Sequence, residues 1–240
     1  MKGRFYGIGC GPGDPELMTV KAVRLLAEAS IVAYPCAKAE GGVARGIAKT
    51  YLRPDQTLIP LVYPVTAGPG ADAPGYPALM RRFYDETAAQ LAAHLDGGAT
   101  VAILCEGDPF FFGSFIYWHK RLSPHYDSIV VPGVSSILAA PVAMDRPLCI
   151  RTDTVTVMPA TMSEDALTDR LLRTDAAVIM KLGRTFAKVR RALVRAGRLD
   201  DAVYVERASW ADQRVLPAAG IDPATVPYFS VVVVPGSTPD

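Results

Sequence analysis

The chain has little cysteine or histidine, and what it has of either is scattered. Cys10, Cys36, Cys105 and Cys149 form no CxxC pair, and His94, His119 and His125 make no HxxxH or HExxH. A zinc site is therefore not expected, and no metal ligand set enters the reading. An excess of one charge is lacking too: 25 Lys plus Arg stand against 24 Asp plus Glu, a formal net charge of +1. That balance argues against a non-specific electrostatic grip on nucleic acid or on an anionic membrane, so any charged partner has to be met by local clusters. No apolar run approaches membrane-spanning length, and the first residues enter a strand-like run without an apolar signal region. Reduced thiols in the cytoplasm are the expectation.

Half of the 240 residues are hydrophobic and a fifth are charged, which is globular usage with ample core material. Phe5–Gly9 reads as a strand ending in a glycine loop, and 19–29 has helical apolar spacing. Further strands are expected at 31–34, stopped by Pro35, at 101–104 and at 128–131, with helices over 79–95 and 115–122. Asp96-Gly97-Gly98 terminates the first of these helices. This alternation predicts a largely parallel sheet covered by helices. A second series starts near Asp153: strands at 154–158, 176–182, 202–206 and 228–234, helices at 164–172 and, basic and amphipathic, at 185–196. Pro132 to Pro147, rich in small residues and uncharged until Asp145, separates the two series. Two α/β domains, 1–133 and 134–240, with an interdomain cleft are therefore expected. The one loop of linker character is 66–77, rich in Gly, Pro and Ala.

Gly7-Ile8-Gly9-Cys10-Gly11-Pro12-Gly13-Asp14 follows a strand and precedes a helix, the setting of a dinucleotide fingerprint. The spacing fails, because the third glycine would fall on Pro12 or on Asp14. A carboxylate at that helix N-terminus would also repel a pyrophosphate, and no Gly-Lys-Ser/Thr follows, so a P-loop is excluded as well. Two readings stand for the loop. The glycines permit positive φ while Asp14 caps the helix, or the loop forms one wall of a site without gripping phosphate.

GIGCGPGDPELMT near the N-terminus, CEGDPFFFGS at 105–114 and VPGVSS at 131–136 together resemble the three signature segments of the tetrapyrrole methyltransferases. The resemblance runs from Gly7 to about Ser209. Its closest branch is the one that methylates C20 of precorrin-2. GDPELMTVKAVRLL, VAYP at 32–35, LIPLVYPVT at 58–66 and Glu106-Gly107-Asp108 in place of Gly-Gly-Asp carry that match. The resemblance implies the tetrapyrrole methylase fold rather than a Rossmann fold, S-adenosylmethionine as methyl donor with S-adenosylhomocysteine as product, and a homodimer. It implies methyl transfer to the C20 meso carbon of precorrin-2, giving precorrin-3A. A cobalt-containing factor of the anaerobic route, or another ring position, stands as the alternative. A non-catalytic nucleotide-binding module is the reading from another class.

Carried onto this sequence, the family's cofactor contacts fall on Pro12, Glu106, Gly107, Asp108, Phe111, Ser135 and Ser136. They also fall on Leu182, where relatives commonly have methionine, and on Ala208, where they have glycine. Each has a structural reading beside the functional one: Asp108 before a proline opens a turn, Phe111 packs in a core, and Ser135 and Ser136 cap a helix. The expected substrate bears eight carboxylates, so Tyr34, Lys38, Arg45 and Lys49 are candidates to receive it, with Arg184 and Lys188 as further cations. After methylation the meso carbon carries a proton that must leave. Glu106, Asp14 and Tyr34 are placed for that by position, an ordered water is the alternative, and the residues neither decide among them nor require a dedicated base.

Overall fold

The computed structural model describes residues 2–64 and 74–236. The chain divides into two compact units, Met1–Ser135 and Ser136–Asp240. Residues 66–73 of the linker-like loop lie outside the described residues.

The first unit is built on five parallel strands: β1 (Phe5–Gly9), β2 (Ile31–Cys36), β3 (Thr57–Val62), β4 (Val101–Cys105) and β5 (Ser128–Val131). Their order across the sheet is β3-β2-β4-β1-β5. β1, β2 and β4 are buried on both faces, which is why they read as unbroken apolar runs. On one face lie α3 (Tyr76–Asp96) and α4 (Phe115–Leu122), whose Phe83, Leu91, Leu95 and Trp118 pack against Phe5 and Ile103. α1 (Val20–Glu28) packs on β1, and the short α2 (Val43–Ala48) packs on β2 and β4. α1 starts where the Thr19 hydroxyl accepts from the Ala22 N–H, and Gln56 closes its far end by donating to the carbonyls of Leu26 and Ala29.

One expected boundary is corrected. β2 runs through Pro35 to Cys36 instead of stopping before it. Its pairing with β4 ends at Ala33, whereas its pairing with β3 continues to Cys36. Pro35 thus sits where the strand is flanked on one side only, a place where a residue without an N–H is tolerated. Pro60 lies on the edge strand β3 for the same reason.

The second unit has a mixed sheet of β6 (Val155–Pro159), β7 (Ala176–Met180), β8 (Val203–Glu206), β9 (Arg214–Pro217) and β10 (Ser230–Val234), in the order β6-β7-β10-β8-β9. Only β6 and β7 pair in parallel; the other three pairings are antiparallel. β6, β7 and β8 therefore run one way and β9 and β10 the other. α6 (Glu164–Leu172) and α7 (Phe186–Arg195) bury Leu167, Leu171, Phe186 and Val189 against one face. α5 (Ser136–Ala143) lays Ala139 and Ala140 on the other, against Val178, Val205, Val231 and Val233. The Ser163 hydroxyl caps α6 by accepting from the Ala166 N–H. Arg191 and Arg195 of α7 pair with Glu164 and Asp165, exposed contacts that contribute little to stability.

Candidate functional site

In a parallel sheet every strand delivers its following loop to the same end, and ligand crevices form there. In the first unit the segments after β1, β4 and β5 meet at that end, backbone against backbone. The Cys10 N–H donates to the Cys105 carbonyl at 2.9 Å, carrying the ladder one step past β1. Gly11 and Gly107 then exchange hydrogen bonds, 2.8 Å from the Gly107 N–H and 3.3 Å from the Gly11 N–H. A Cβ on Gly133 would lie 2.0 Å from the Gly107 carbonyl oxygen and 2.9 Å from Gly9 Cα, so no side chain fits there. Gly107 has φ +62°, a left-handed conformation that glycine adopts without strain. Pro12 lies in the loop beyond this crossing, and Asp14 caps the turn 15–17 by accepting from the Glu16 N–H at 2.8 Å.

Asp108 ties two of these loops together. One carboxylate oxygen accepts from the Phe110 N–H at 2.9 Å and the other from the Gly133 N–H at 3.1 Å. The turn that a pre-proline aspartate opens is therefore present, and Phe111 closes it by donating its N–H to the Asp108 carbonyl. Of the three phenylalanines, Phe110 packs on Phe115 and His119, Phe111 meets Phe112 edge-on, and Phe112 holds φ +53°. Ser135 is buried, with its Cα 4.0 Å from where a Gly107 Cβ would stand.

Glu106 differs from its neighbour. Its Oε1 accepts a long, 3.4 Å hydrogen bond from the Ala44 N–H of α2, and no cation pairs with it among the described residues. Burial pushes its carboxyl above the ordinary carboxylate range, with its own backbone N–H and that of Ala44 pulling the other way.

Tyr34 and Arg45 come together. The Tyr34 ring is buried, its hydroxyl donates to the Ala39 carbonyl, and the Arg45 guanidinium lies over the ring at 5.4 Å. Arg45 also donates to the Glu40 carbonyl, so the guanidinium is held rather than loose. Lys38 and Lys49 are both exposed, one in the loop after β2 and one in the turn after α2.

In the second unit, Leu182 and Ala208 follow β7 and β8, which run the same way, so both lie at one end of that sheet. Leu182 is buried against Phe186 in the core of that unit, and its carbonyl accepts from the Thr185 hydroxyl. Lys181 (φ +59°), Arg207 (φ +51°) and Ser209 (φ +68°) flank these two positions in the left-handed region, which non-glycine residues seldom occupy. Ser136 opens α5; Arg184 is exposed and Lys188 half-buried around the start of α7.

One cluster escaped the sequence reading. The hydroxyls of Tyr63, just past β3, and Tyr84, on α3, converge on Ser114 at the start of α4. Burial pushes both phenols up, so they stay protonated donors. LIPLVYPVT contained Tyr63, but only the fold shows that residues 63, 84 and 114 share one place.

With that geometry in hand, the chain compares clearly with known proteins. A model of the tetrapyrrole (corrin/porphyrin) methylases matches residues 4–220. A cobalamin biosynthesis protein CobIJ of Mycobacterium tuberculosis is 48% identical over 98% of this chain and 46% of its own length. The chain thus spans about half of that relative. A precorrin-2 C(20)-methyltransferase of a Sinorhizobium species is 44% identical over 98% of this chain and 96% of its own. A solved uroporphyrin-III C-methyl transferase of Thermus thermophilus, complexed with S-adenyl homocysteine, superposes with a TM-score of 0.65 at 24% identity, covering 97% of this chain and 92% of that one. The chain belongs to the tetrapyrrole methylases, and it has their fold. No helix among the described residues is long and apolar enough to cross a membrane.

Proposed function

We propose that this protein transfers a methyl group from S-adenosylmethionine to C20 of precorrin-2, giving precorrin-3A in cobalamin synthesis. The observation that carries the reading is the 44% identity, over nearly the whole of both chains, with the Sinorhizobium protein of that name. That name specifies the metal-free substrate, which favours precorrin-2 over its cobalt form.

The crevice of the first unit suits the donor. A glycine backbone lines it, and the two carboxylates beside it, Glu106 and Asp108, pair with no Lys or Arg among the described residues. Such a surface repels a pyrophosphate but accommodates a cationic sulfonium and ribose hydroxyls. Pro12, Glu106, Gly107, Asp108, Phe111 and Ser135 are the residues we assign to holding it, with Ser136, Leu182 and Ala208 of the second unit at the family's remaining positions. When bound, S-adenosylmethionine supplies an electrophilic methyl. The protein's part is to fix two reactants in line, and the Asp108 bonds to Phe110 and Gly133 keep the wall of the crevice in one geometry. Arg45, already oriented over Tyr34, is the leading candidate to receive a substrate carboxylate, with Tyr34, Lys38 and Lys49 around it. A homodimer in the cytoplasm belongs to the same reading. The homodimer is supported by the exposed apolar Leu138 and Val142 of α5.

Anaerobic incubation with methyl-labelled S-adenosylmethionine and enzymatically made precorrin-2, beside its cobalt form, tests the assignment. Label at C20 of the metal-free product is expected. Label on another carbon overturns the ring position, and absence of S-adenosylmethionine binding overturns the activity.

A further inference from the structure

A meso carbon that has just been methylated holds both its new methyl and its original hydrogen, and product forms only when that hydrogen leaves as a proton. We propose that Glu106 accepts this proton. The assignment rests on the methyltransferase reading above. In this step the C20–H bond breaks, its electron pair returns to the macrocycle as a double bond, and the proton joins a Glu106 carboxylate oxygen.

The geometry selects Glu106 by what occupies its rivals. Asp108 spends one oxygen on the Phe110 N–H and the other on the Gly133 N–H, so protonating it would undo the contact that joins two loops. Asp14 is engaged as the cap of the turn 15–17. The Tyr34 hydroxyl already donates to the Ala39 carbonyl, beneath the Arg45 guanidinium. Glu106 stands where β4 ends, one residue before the Gly11–Gly107 crossing, and among the described residues its donor from another element is the long bond from Ala44. It can gain a proton without breaking an ion pair.

Burial raises its proton affinity, and no neighbouring cation offsets that among the described residues. Cys10 at the end of β1, Cys105 on β4 and Tyr63 after β3 all feel the Glu106 charge, and none is cationic. Burial pushes the Cys10 thiol up to about 12 and Cys105 well above its ordinary value, so both stay neutral and neither competes as a base. From α2 the nearest charge is Arg45, whose guanidinium is turned to the Tyr34 ring and the Glu40 carbonyl. A buried carboxylate with no cationic partner is a stronger base than a solvated one.

Glu106→Gln tests this in the full chain. Turnover is expected to fall by about 10²- to 10⁴-fold, far more than S-adenosylhomocysteine affinity measured by calorimetry, to which Glu106 is one contact among several. In the wild type, kcat should fall as pH drops through the Glu106 titration, because only the carboxylate accepts a proton; the glutamine variant should lose that limb. Glu106→Asp should recover part of the rate, and C20-deuterated substrate should slow the glutamine variant more than the wild type. Independently of turnover, a carboxyl ¹³C titration of the ligand-free protein should place Glu106 above the other glutamates. Wild-type-like turnover by the glutamine variant overturns the proposal. So does a loss of S-adenosylhomocysteine affinity as large as the loss of rate, which would make Glu106 a cofactor contact alone, and so does an ordinary Glu106 titration. Absence of product from the wild type itself marks a failure of the substrate reading instead.

Discussion

The two units solve the same local problem, a sharp change of chain direction at the end of a strand, in different ways. In the first unit, three backbones touch at Gly9, Gly107 and Gly133 in the turns beyond β1, β4 and β5, and a side chain at positive φ, Phe112, comes only past that crossing. In the second, turns beyond β7 and β8 place Lys181, Arg207 and Ser209 at positive φ. A left-handed residue with a Cβ carries roughly 1–2 kcal/mol of strain that glycine avoids. The difference shows where room is needed. Side chains are excluded from the first unit's crossing by contact, whereas the second unit's turns retain side chains at the cost of strain.

That contrast can be broken by moving side chains between the two kinds of turn. Gly133→Ala should be the most damaging, because its Cβ would land on the Gly107 carbonyl; a loss of about 3 kcal/mol or more in urea unfolding is expected. Gly220→Ala, in the second unit with nothing within 4 Å, should stay within about 0.5 kcal/mol of the parent. Equal costs for the two would show that the backbone crossing is not tight.

Asp108→Ala comes next. It strips the acceptor from the Phe110 and Gly133 N–H groups, for a loss of about 1–3 kcal/mol, and should weaken S-adenosylhomocysteine binding with the fold retained. Unchanged affinity in calorimetry would separate the crevice wall from the ligand. A small effect should also come from Lys181→Gly, where relief of strain and glycine's backbone entropy partly offset each other. A thermal melt should show a change between about 0 and +1 kcal/mol, opposite in sign to Gly133→Ala.

The features legible in the sequence were those set locally. Apolar runs at 5–9 and 101–104 became strands because buried parallel strands need no alternation, and 128–131 became the half-buried strand at the sheet edge. Asp-Pro at 108–109 announced its turn; Asp14 announced a cap, but it caps the short turn 15–17, and α1 is capped by Thr19 instead. The sequence reading missed β3, with Pro60 in it, since a proline reads as a strand breaker until its place at the sheet edge is known. α2, six residues with Gly46 inside, is too short to show a helical period. β9 is only Arg214–Pro217, largely exposed, and exists by pairing with β8. At the candidate site, the motif marked Glu106, Gly107 and Asp108, but what their side chains bond to depends on Ala44 and Gly133, distant along the chain.

The strand order has a consequence for how the molecule is made. β1 is synthesised before the other strands of its unit, yet Phe5 pairs on one side with Val101 and on the other with Ser128. β2 and β3 can pair as soon as residue 62 is available, while β1 waits for both its neighbours. Long-range parallel pairings of this kind form slowly. The N-terminal glycine loop therefore gains its partners Gly107 and Gly133 only when the unit is nearly complete, and the crevice is the last part of it to take shape in a growing chain.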